Sequence, residues 1–304
     1  MVSARLPAIA APPRFSAVLE LVKPVTWFAP VWALACGSVA GWQPGQPYPW
    51  AFVLGGLVLA GPLVCGGTQA ANDWYDRYVD AINEPARPIP SGRVPGRWGL
   101  GVATALSLVA LTFAGLLGGG VLLATAAGLA LGWAYSAPPL RLKREGWTGA
   151  AATGLAYEGL AWLTGAMIAG GTGALAEPLM VPFALFYSFG ALGIMVLNDF
   201  KAVEGDLSTG VRSLPARYGE AKAARIACLV MIAPQVAVSA SLFWFAQPMA
   251  GAAIAALMAG QLLAMRRLLR DPRAHAPWYN AVGVLMYVAG MMIAAVAVHH
   301  GMSA

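Results

Sequence analysis

The sequence predicts an all-α, polytopic membrane protein that forms a single domain over residues 1–304. Hydrophobic residues make up 59% of the 304 residues and charged residues only 11%, whereas soluble domains carry roughly 25% charged residues. The mean hydropathy is +0.66. Because charges are so few, the chain has no room for a sizeable soluble domain. The 36 glycines are typical of helices that pack closely in lipid, where small residues let backbones approach.

The chain divides into a short tail and a series of apolar runs. Residues 1–20 are predicted to form a cytoplasmic tail, and residues 15–22 are expected to lie along the membrane interface as a short amphipathic helix. Nine runs follow, each near the roughly 20 residues that cross a bilayer as a helix. They lie at about 25–42, 50–71, 98–116, 120–136, 148–170, 180–198, 226–243, 247–265 and 278–298.

The basic residues support this topology. All 19 Lys and Arg residues lie before the first run or in the connections after the second, fourth, sixth and eighth runs. By the positive-inside rule this side faces the cytoplasm, and the N-terminus with it. The net charge of +6 therefore reflects membrane orientation. No basic stretch is interleaved with polar and aromatic residues as in a nucleic-acid-binding face, so we expect no nucleic-acid partner.

A first acidic motif ends the second run on this predicted cytoplasmic side. Asn72 is followed by Asp73, Asp76 and Asp80, which on a helix fall within about 60° of one another. Like charges on one face repel, so the motif favours binding of a divalent cation. Carboxylate oxygens are ligands that Mg²⁺ prefers, with water and substrate phosphates completing its coordination.

A second acidic motif ends the sixth run on the same side. Asp199 and Asp206 are seven residues apart after Asn198, as Asp73 and Asp80 are in the first motif, and Ala202 stands where the first motif has Asp76. The similarity favours a duplicated bundle with halves at about 21–136 and 148–298. We predict that the five aspartates are catalytic and that they bind two Mg²⁺ ions, with Mn²⁺ as an alternative. The predicted metal ligands are Asn72, Asp73, Asp76, Asp80, Asn198, Asp199 and Asp206.

Two metal ions facing each other at a membrane rim would bridge a diphosphate whose tail enters the apolar bundle, which indicates an isoprenyl diphosphate. Basic loop residues are candidates for the remaining phosphate charge, although positive-inside topology alone also explains them. Glu158 lies about 10 residues inside the fifth run, where a carboxyl group is by default a functional candidate. Contact with the acceptor and a structural inter-helix hydrogen bond are equally good explanations. The substrate-binding residues predicted on these grounds are Asn72, Arg87, Tyr135, Lys143, Arg144, Glu158, Asn198, Glu204 and Arg212.

Four segments carry a family resemblance: residues 23–27, 72–92, 135–144 and 198–206. Together with the nine-helix pattern they resemble the UbiA superfamily of intramembrane prenyltransferases, and within it the chlorophyll and bacteriochlorophyll synthases. The resemblance implies a UbiA-type bundle in the inner or intracytoplasmic photosynthetic membrane. It implies Mg²⁺-dependent transfer from geranylgeranyl or phytyl diphosphate to the propionate carboxylate of chlorophyllide or bacteriochlorophyllide. The lipid bilayer and other pigment-synthesis proteins are the remaining expected partners.

The resemblance also assigns roles to single residues. It implies that Lys23, Lys143 and Arg144 contact the diphosphate, alongside the metal-binding aspartates and asparagines. Ala202 departs from the pattern, since many members carry Asp there. This departure makes Glu204 a stronger candidate for the missing carboxylate. A carboxylate nucleophile is already ionised at neutral pH, so no catalytic base is required.

Three other functions fit the sequence less well. A related prenyltransferase would act on a quinone precursor or on haem. A membrane phosphatidyltransferase requires Gly after the second aspartate of its motif, and here Arg77 follows Asp76. A transporter would favour polar residues near the middle of the membrane, where Glu158 is the single acidic residue in the predicted spans.

Overall fold

The computed structural model describes residues 11–303, so residues 1–10 of the predicted tail lie outside the described part. The helices are α1 (Phe15–Leu21), α2 (Phe28–Gly41), α3 (Trp50–Asn83), α4 (Trp98–Leu117), α5 (Gly119–Ser136), α6 (146–170), α7 (Met180–Asp199), α8 (Val203–Thr209), α9 (Leu214–Tyr218), α10 (Glu220–Trp244), α11 (Pro248–Leu268) and α12 (Pro272–Ser303). A 3₁₀ turn, Pro24–Trp27, leads into α2. The described part contains no β-strand, only an isolated bridge between Glu145 and Arg212.

This architecture confirms the predicted all-α membrane class. Within residues 11–303, eight helices are long and apolar enough to cross a membrane, judged by length and composition. They are α2 with its 3₁₀ turn, α3, α4, α5, α7, α10, α11 and α12. The predicted fifth span also forms a long helix, α6, but this helix is outside that set and carries Glu158 in its middle. The predicted count of nine is therefore approximate.

Several helices extend beyond the apolar runs from which they were predicted. Helix α3 continues twelve residues past Ala71, through the first acidic motif to Asn83. Asp73, Asp76 and Asp80 therefore stand on one continuous helix. Helix α10 likewise begins at Glu220 rather than at 226, with Gly219 at a φ of 80° immediately before it. Hydrophobicity indicates which part of a helix lies in lipid. It does not indicate where the backbone hydrogen bonding of that helix ends.

Two helices contain a π-helical turn. In α3 this turn covers Leu59–Cys65 and contains Pro62, which has no backbone N–H to donate. In α6 it covers Leu155–Gly159 and contains Glu158. Such turns often mark functional regions of helices. Residues of both turns line a narrow apolar cavity of about 30 Å³ inside the bundle.

Close backbone contact between α2 and α6 forms the centre of the bundle. A Cβ atom added at Gly37 would lie 1.9 Å from the carbonyl oxygen of Trp162, and one added at Gly165 would lie 2.0 Å from that of Leu34. Only glycine permits this approach, as expected where small residues let membrane helices meet. The packing fixes α6, and with it the α5–α6 loop at the polar end of the bundle.

The N-terminal helix α1 has the predicted amphipathic character. Phe15 is 79% exposed, whereas Ala17 and Leu21 are buried. Its Glu20 forms an ion pair with Arg93 of the α3–α4 connection, and hydrogen bonding by Arg93 lowers the pKa of the Glu20 carboxyl. Helix α1 thus packs beside the connection that follows the first acidic motif.

Candidate active site

The three aspartates of the first motif are each paired with a basic side chain. Asp73 is 1% exposed, and its Oδ1 accepts a hydrogen bond from Lys23 Nζ at 2.6 Å. Arg87 Nη1 donates to Asp80 Oδ2 at 2.9 Å, and Lys143 pairs with Asp76. Burial lowers the pKa of the Lys143 ammonium, and Asp76 opposes that shift. The first motif is therefore neutralised within the protein itself.

Asn72 links this motif to the end of α5. Its Nδ2 donates to Asp76 Oδ2 at 3.1 Å and to Ser136 Oγ at 3.0 Å. These two bonds use both amide hydrogens. The remaining polar atom, Oδ1, is the one that Asn72 offers to a ligand.

Two basic residues near the site have left-handed backbone conformations. The φ angle of Lys23 is 47° and that of Arg141 is 42°. A residue other than glycine held in this region costs on the order of 1–3 kcal/mol, and such residues cluster at functional sites. The turn at Lys23 holds its side chain against Asp73.

The second motif lies at the end of α7 and on α8. Asn198 Oδ1 accepts a hydrogen bond from Asn280 Nδ2 of α12 at 2.9 Å, and Glu204 is paired with Arg273 at 2.9 Å. Within residues 11–303, no lysine or arginine forms a salt bridge with Asp199. Burial raises the pKa of Asp206. The three aspartates of the first motif thus each have a lysine or arginine in direct ion-pair contact, whereas at Asp199 the charge of Lys201 acts without a direct ion pair.

Both motifs face one cavity of about 590 Å³. Eight of the predicted site residues line it: Asp76, Asp80, Tyr135, Lys143, Arg144, Asp199, Glu204 and Asp206. Glu84, Arg141 and Lys201 contribute further charged side chains to its wall. The structure thus brings the ends of α3 and α7 together around one polar space, with the α5–α6 loop between them.

The other predicted residues lie outside this wall. Asp73 is just behind it, since Arg87 Nη1 reaches both Asp80 and, at 3.5 Å, Asp73. Arg212 has a 68% exposed side chain and pairs with Glu145 at 3.2 Å. Glu158 is 4% exposed in α6, and its Oε2 has no hydrogen-bond partner among the described residues.

A family comparison identifies this arrangement. The model of the UbiA prenyltransferase family matches residues 31–287, which include both acidic motifs and the α5–α6 loop. The chain belongs to the UbiA prenyltransferase family. The resemblance inferred from the motifs is thereby confirmed.

Curated relatives cover nearly the whole chain. The bacteriochlorophyll synthase 33 kDa chain of Rhodobacter capsulatus is 53% identical over 287 residues, 94% of each chain. The protein of the same name from Cereibacter sphaeroides is 52% identical over the same share. Chlorophyll synthase of Arabidopsis thaliana is 37% identical over 93% of this chain and 74% of that protein.

Solved structures of UbiA homologues have the same fold. A homologue from Archaeoglobus fulgidus bound to GPP and Mg²⁺ matches with a TM-score of 0.71 at 20% identity, over 92% of this chain and 99% of that one. A homologue from Aeropyrum pernix without ligand matches with a TM-score of 0.66 at 21% identity, over 90% and 96%. The bundle of this UbiA family member is thus a known architecture.

The donor atoms of the site suit Mg²⁺, although no complete ligand set is assembled. Within the described residues, no three Asp, Glu, His or Cys side chains are grouped so that they could hold one ion. Asp73 Oδ2 is buried without a hydrogen-bond partner among these residues. Carboxylate and amide oxygens are nevertheless the right ligand type, and Mg²⁺ commonly takes only one or two carboxylates beside phosphate and water. The residues present therefore fit the ion.

Sequence reasoning missed several residues that this UbiA family site uses. Ser136 accepts the hydrogen bond from Asn72, and Asn280 and Arg273 of α12 hold Asn198 and Glu204. Ser136 stands next to Tyr135 in the segment 135–144, which carries part of the family resemblance, and could have been found there. Asn280 had no signal, because a lone asparagine in an apolar run is usually a packing feature.

Proposed function

We propose that this protein transfers a geranylgeranyl or phytyl group from its diphosphate to the propionate carboxylate of chlorophyllide or bacteriochlorophyllide. The observation that carries this proposal is the 53% identity with a bacteriochlorophyll synthase chain over 94% of both sequences. The cavity supports it, because acidic and basic residues meet at the polar end of an apolar bundle. Such a place suits a substrate with a charged head and a long apolar tail.

The aspartates are proposed to hold Mg²⁺, with two ions and with Mn²⁺ as a substitute. Asp76 and Asp80 with Asn72 and Asp73 would hold one ion, and Asp199, Asp206 and Asn198 the other. Solved UbiA homologues bound to Mg²⁺ together with GPP or DMAPP support this dependence. When bound, the metal neutralises the diphosphate and makes it a better leaving group.

The basic residues are proposed to hold the diphosphate itself. Lys143 and Arg144 line the cavity, and Lys23 pairs with Asp73 just behind its wall. Charge-assisted hydrogen bonds from these groups to phosphate oxygens would stabilise the departing anion. Tyr135 on the cavity wall offers an aromatic face for the allylic cation-like carbon that develops as the carbon–oxygen bond breaks.

The acceptor carboxylate then forms the new carbon–oxygen bond of the ester, and diphosphate leaves. The carboxylate carries its own negative charge at neutral pH, so no residue has to remove a proton. The narrow apolar cavity inside the bundle, about 30 Å³, holds no more than a water-sized group. The helices that carry the two π turns would have to separate to admit a prenyl tail. Glu158 remains proposed as a contact for a polar group of the acceptor.

We also propose an orientation of the protein and the membrane in which it lies. The N-terminus and the mouth of the cavity would face the cytoplasm, because the basic connections lie at that end. The membrane would be the inner membrane or an intracytoplasmic photosynthetic membrane, with other pigment-synthesis proteins as neighbours. The chain would act as a single membrane domain whose halves, at about 21–136 and 148–298, derive from one ancestral unit.

A transfer assay tests the function directly. The purified full-length protein is incubated with labelled geranylgeranyl diphosphate, Mg²⁺ and a separate acceptor in each reaction: chlorophyllide, bacteriochlorophyllide, a quinone precursor or haem. We expect label in the pigment ester alone, and none after chelation of the metal. Label found only in the quinone precursor or in haem would contradict the proposal and favour another member of the family.

A further inference from the structure

One cation on the cavity wall has a buried hydrogen-bond donor that meets no partner. Among the four cations there, Lys143 is paired with Asp76, whereas Arg141, Arg144 and Lys201 form no salt bridge within residues 11–303. Arg141 lies half-buried on the same wall, and among the described residues it forms no ion pair. Its Nε is buried and has no hydrogen-bond partner within residues 11–303. A buried donor without a partner is costly and calls for an explanation.

The loop around Arg141 holds the residue in place. Its backbone N–H donates to the carbonyl of Ala137 at 3.0 Å, and its own carbonyl accepts from Arg144 at 2.9 Å. The next turn is tied to a neighbouring loop, since Arg212 N donates to the carbonyl of Arg144 at 2.8 Å. These bonds maintain the left-handed backbone at Arg141, with a φ of 42°. The guanidinium is thus placed at the cavity before any ligand arrives.

An anion is the ligand that best suits a guanidinium without an ion pair, and the proposed reaction supplies two. The diphosphate already has Lys143 and the metal-binding aspartates. The residues before Arg141 are apolar and exposed: Pro138, Pro139 and Leu140, the last with 63% of its surface accessible. An apolar surface directly beside an unpartnered guanidinium matches a broad apolar molecule that carries a carboxylate. The diphosphate head of the donor has no apolar part to lie on this surface, and the prenyl tail is proposed to enter the bundle instead.

We propose that Arg141 binds the carboxylate of the acceptor while the apolar body of the acceptor lies on Pro138, Pro139 and Leu140. This inference rests on the proposed function, because it names the residue that recognises the nucleophile of that reaction. A hydrogen bond to one carboxylate oxygen leaves the other oxygen free to attack the prenyl carbon. Once the ester forms, the negative charge is gone and the charge-assisted bond with it. Arg141 therefore holds the substrate more tightly than the product.

Equilibrium binding of the acid and of an ester separates this role from a structural one. Binding of chlorophyllide and of its propionate methyl ester is measured by fluorescence on the full-length protein in lipid nanodiscs. We expect the wild-type protein to prefer the acid by about 10-fold to 100-fold, the range of a charge-assisted hydrogen bond. Arg141→Gln should reduce this preference to less than about threefold. Arg141→Lys should retain part of it, because the charge remains.

Two controls identify the cause of any change. Arg270→Gln removes a positive charge from another basic connection between helices, at an exposed position outside the cavity wall, and it should keep the full preference. Binding of geranylgeranyl diphosphate with Mg²⁺ should be unchanged in Arg141→Gln, which also shows that the variant is folded.

The opposite results are distinguishable. If Arg141→Gln keeps the preference for the acid, or loses diphosphate affinity instead, the assignment of Arg141 is wrong while the proposed function stands. If the wild-type protein binds neither pigment, the proposed function fails and this inference fails with it.

Discussion

The two acidic motifs face the same cavity, but their negative charge is balanced in different ways. In the first motif Asp73, Asp76 and Asp80 are paired with Lys23, Lys143 and Arg87. In the second motif Asp199 forms no salt bridge with a lysine or arginine of the described part, and Glu204 is paired at the periphery with Arg273. The aspartates of the first motif are thus neutralised by ion pairs within the protein. Neutralisation of Asp199 in the second motif depends more on a bound ligand.

This difference has a physical consequence for binding. A metal ion entering the first motif competes with lysine and arginine side chains that are already in place. At the half-buried Asp199 a bound cation would stabilise the carboxylate without breaking a salt bridge to a described lysine or arginine. We infer that the second motif is the easier one to fill and that the first motif rearranges as the diphosphate enters. Lys143 and Lys23 would then move from aspartate to phosphate oxygens.

The largest expected effects come from removing one aspartate of each motif. Asp73→Asn and Asp199→Asn should each reduce prenyl transfer by at least about 100-fold, because each removes a proposed metal ligand. Their stabilities should differ. Asp73→Asn leaves Lys23 without its anionic partner and should cost about 1–3 kcal/mol. Asp199→Asn removes a half-buried carboxylate that forms no salt bridge with a described lysine or arginine, and should be neutral or stabilising.

Transfer activity and the thermal unfolding midpoint, both measured in nanodiscs, test this contrast. The apo protein is used for unfolding, so that metal binding does not contribute. Unfolding of Asp199→Asn at a lower temperature than Asp73→Asn would contradict the proposed difference in charge balance. Full activity in either variant would reject the metal role of that residue.

A smaller effect is expected at the cations on the wall. Lys143→Gln should raise the KM for the prenyl diphosphate by about 10-fold to 100-fold, because a charge-assisted phosphate contact is lost. The KM for the acceptor should change little. Lys222→Gln is a matched control, since Lys222 lies against the ring of Tyr218 and is not part of the cavity wall. An equal rise for the acceptor would mean that Lys143 does not act on the donor specifically.

The sequence was sufficient for the class of fold and for the place of the site. Long uncharged runs predict membrane helices, and the acids at the ends of two of them predict where the cavity lies. Both features are local, because each depends on residues close together in the chain. The helical spacing of Asp73, Asp76 and Asp80 also follows from local geometry, and α3 extends through all three.

Partner choice could not be predicted in the same way. Lys23 pairs with Asp73 fifty residues away, and Asn280 binds Asn198 eighty-two residues away. Such pairs depend on how the helices pack, which no local pattern encodes. The same limit applies to Arg212, predicted to bind substrate, whose side chain lies at Glu145. Its role in substrate binding stays a prediction, as does that of Glu158.

The smallest effect is expected at Glu204, and it tests how the second motif manages without an acid at position 202. Because Ala202 offers no carboxylate, the sequence predicts that Glu204 supplies the missing carboxylate. In the structure the Glu204 side chain is 80% exposed and pairs with Arg273 at 2.9 Å, so its carboxylate is directed to α12. We therefore expect Glu204→Gln to change the Mg²⁺ concentration for half-maximal transfer by less than about threefold, the size of a surface ion-pair effect. Asp206→Asn, measured beside it, should raise that concentration by at least about 10-fold, as loss of a ligand would. A large effect of Glu204→Gln would mean that Glu204 leaves Arg273 for the metal, and that both motifs then exchange a protein cation for a bound ion.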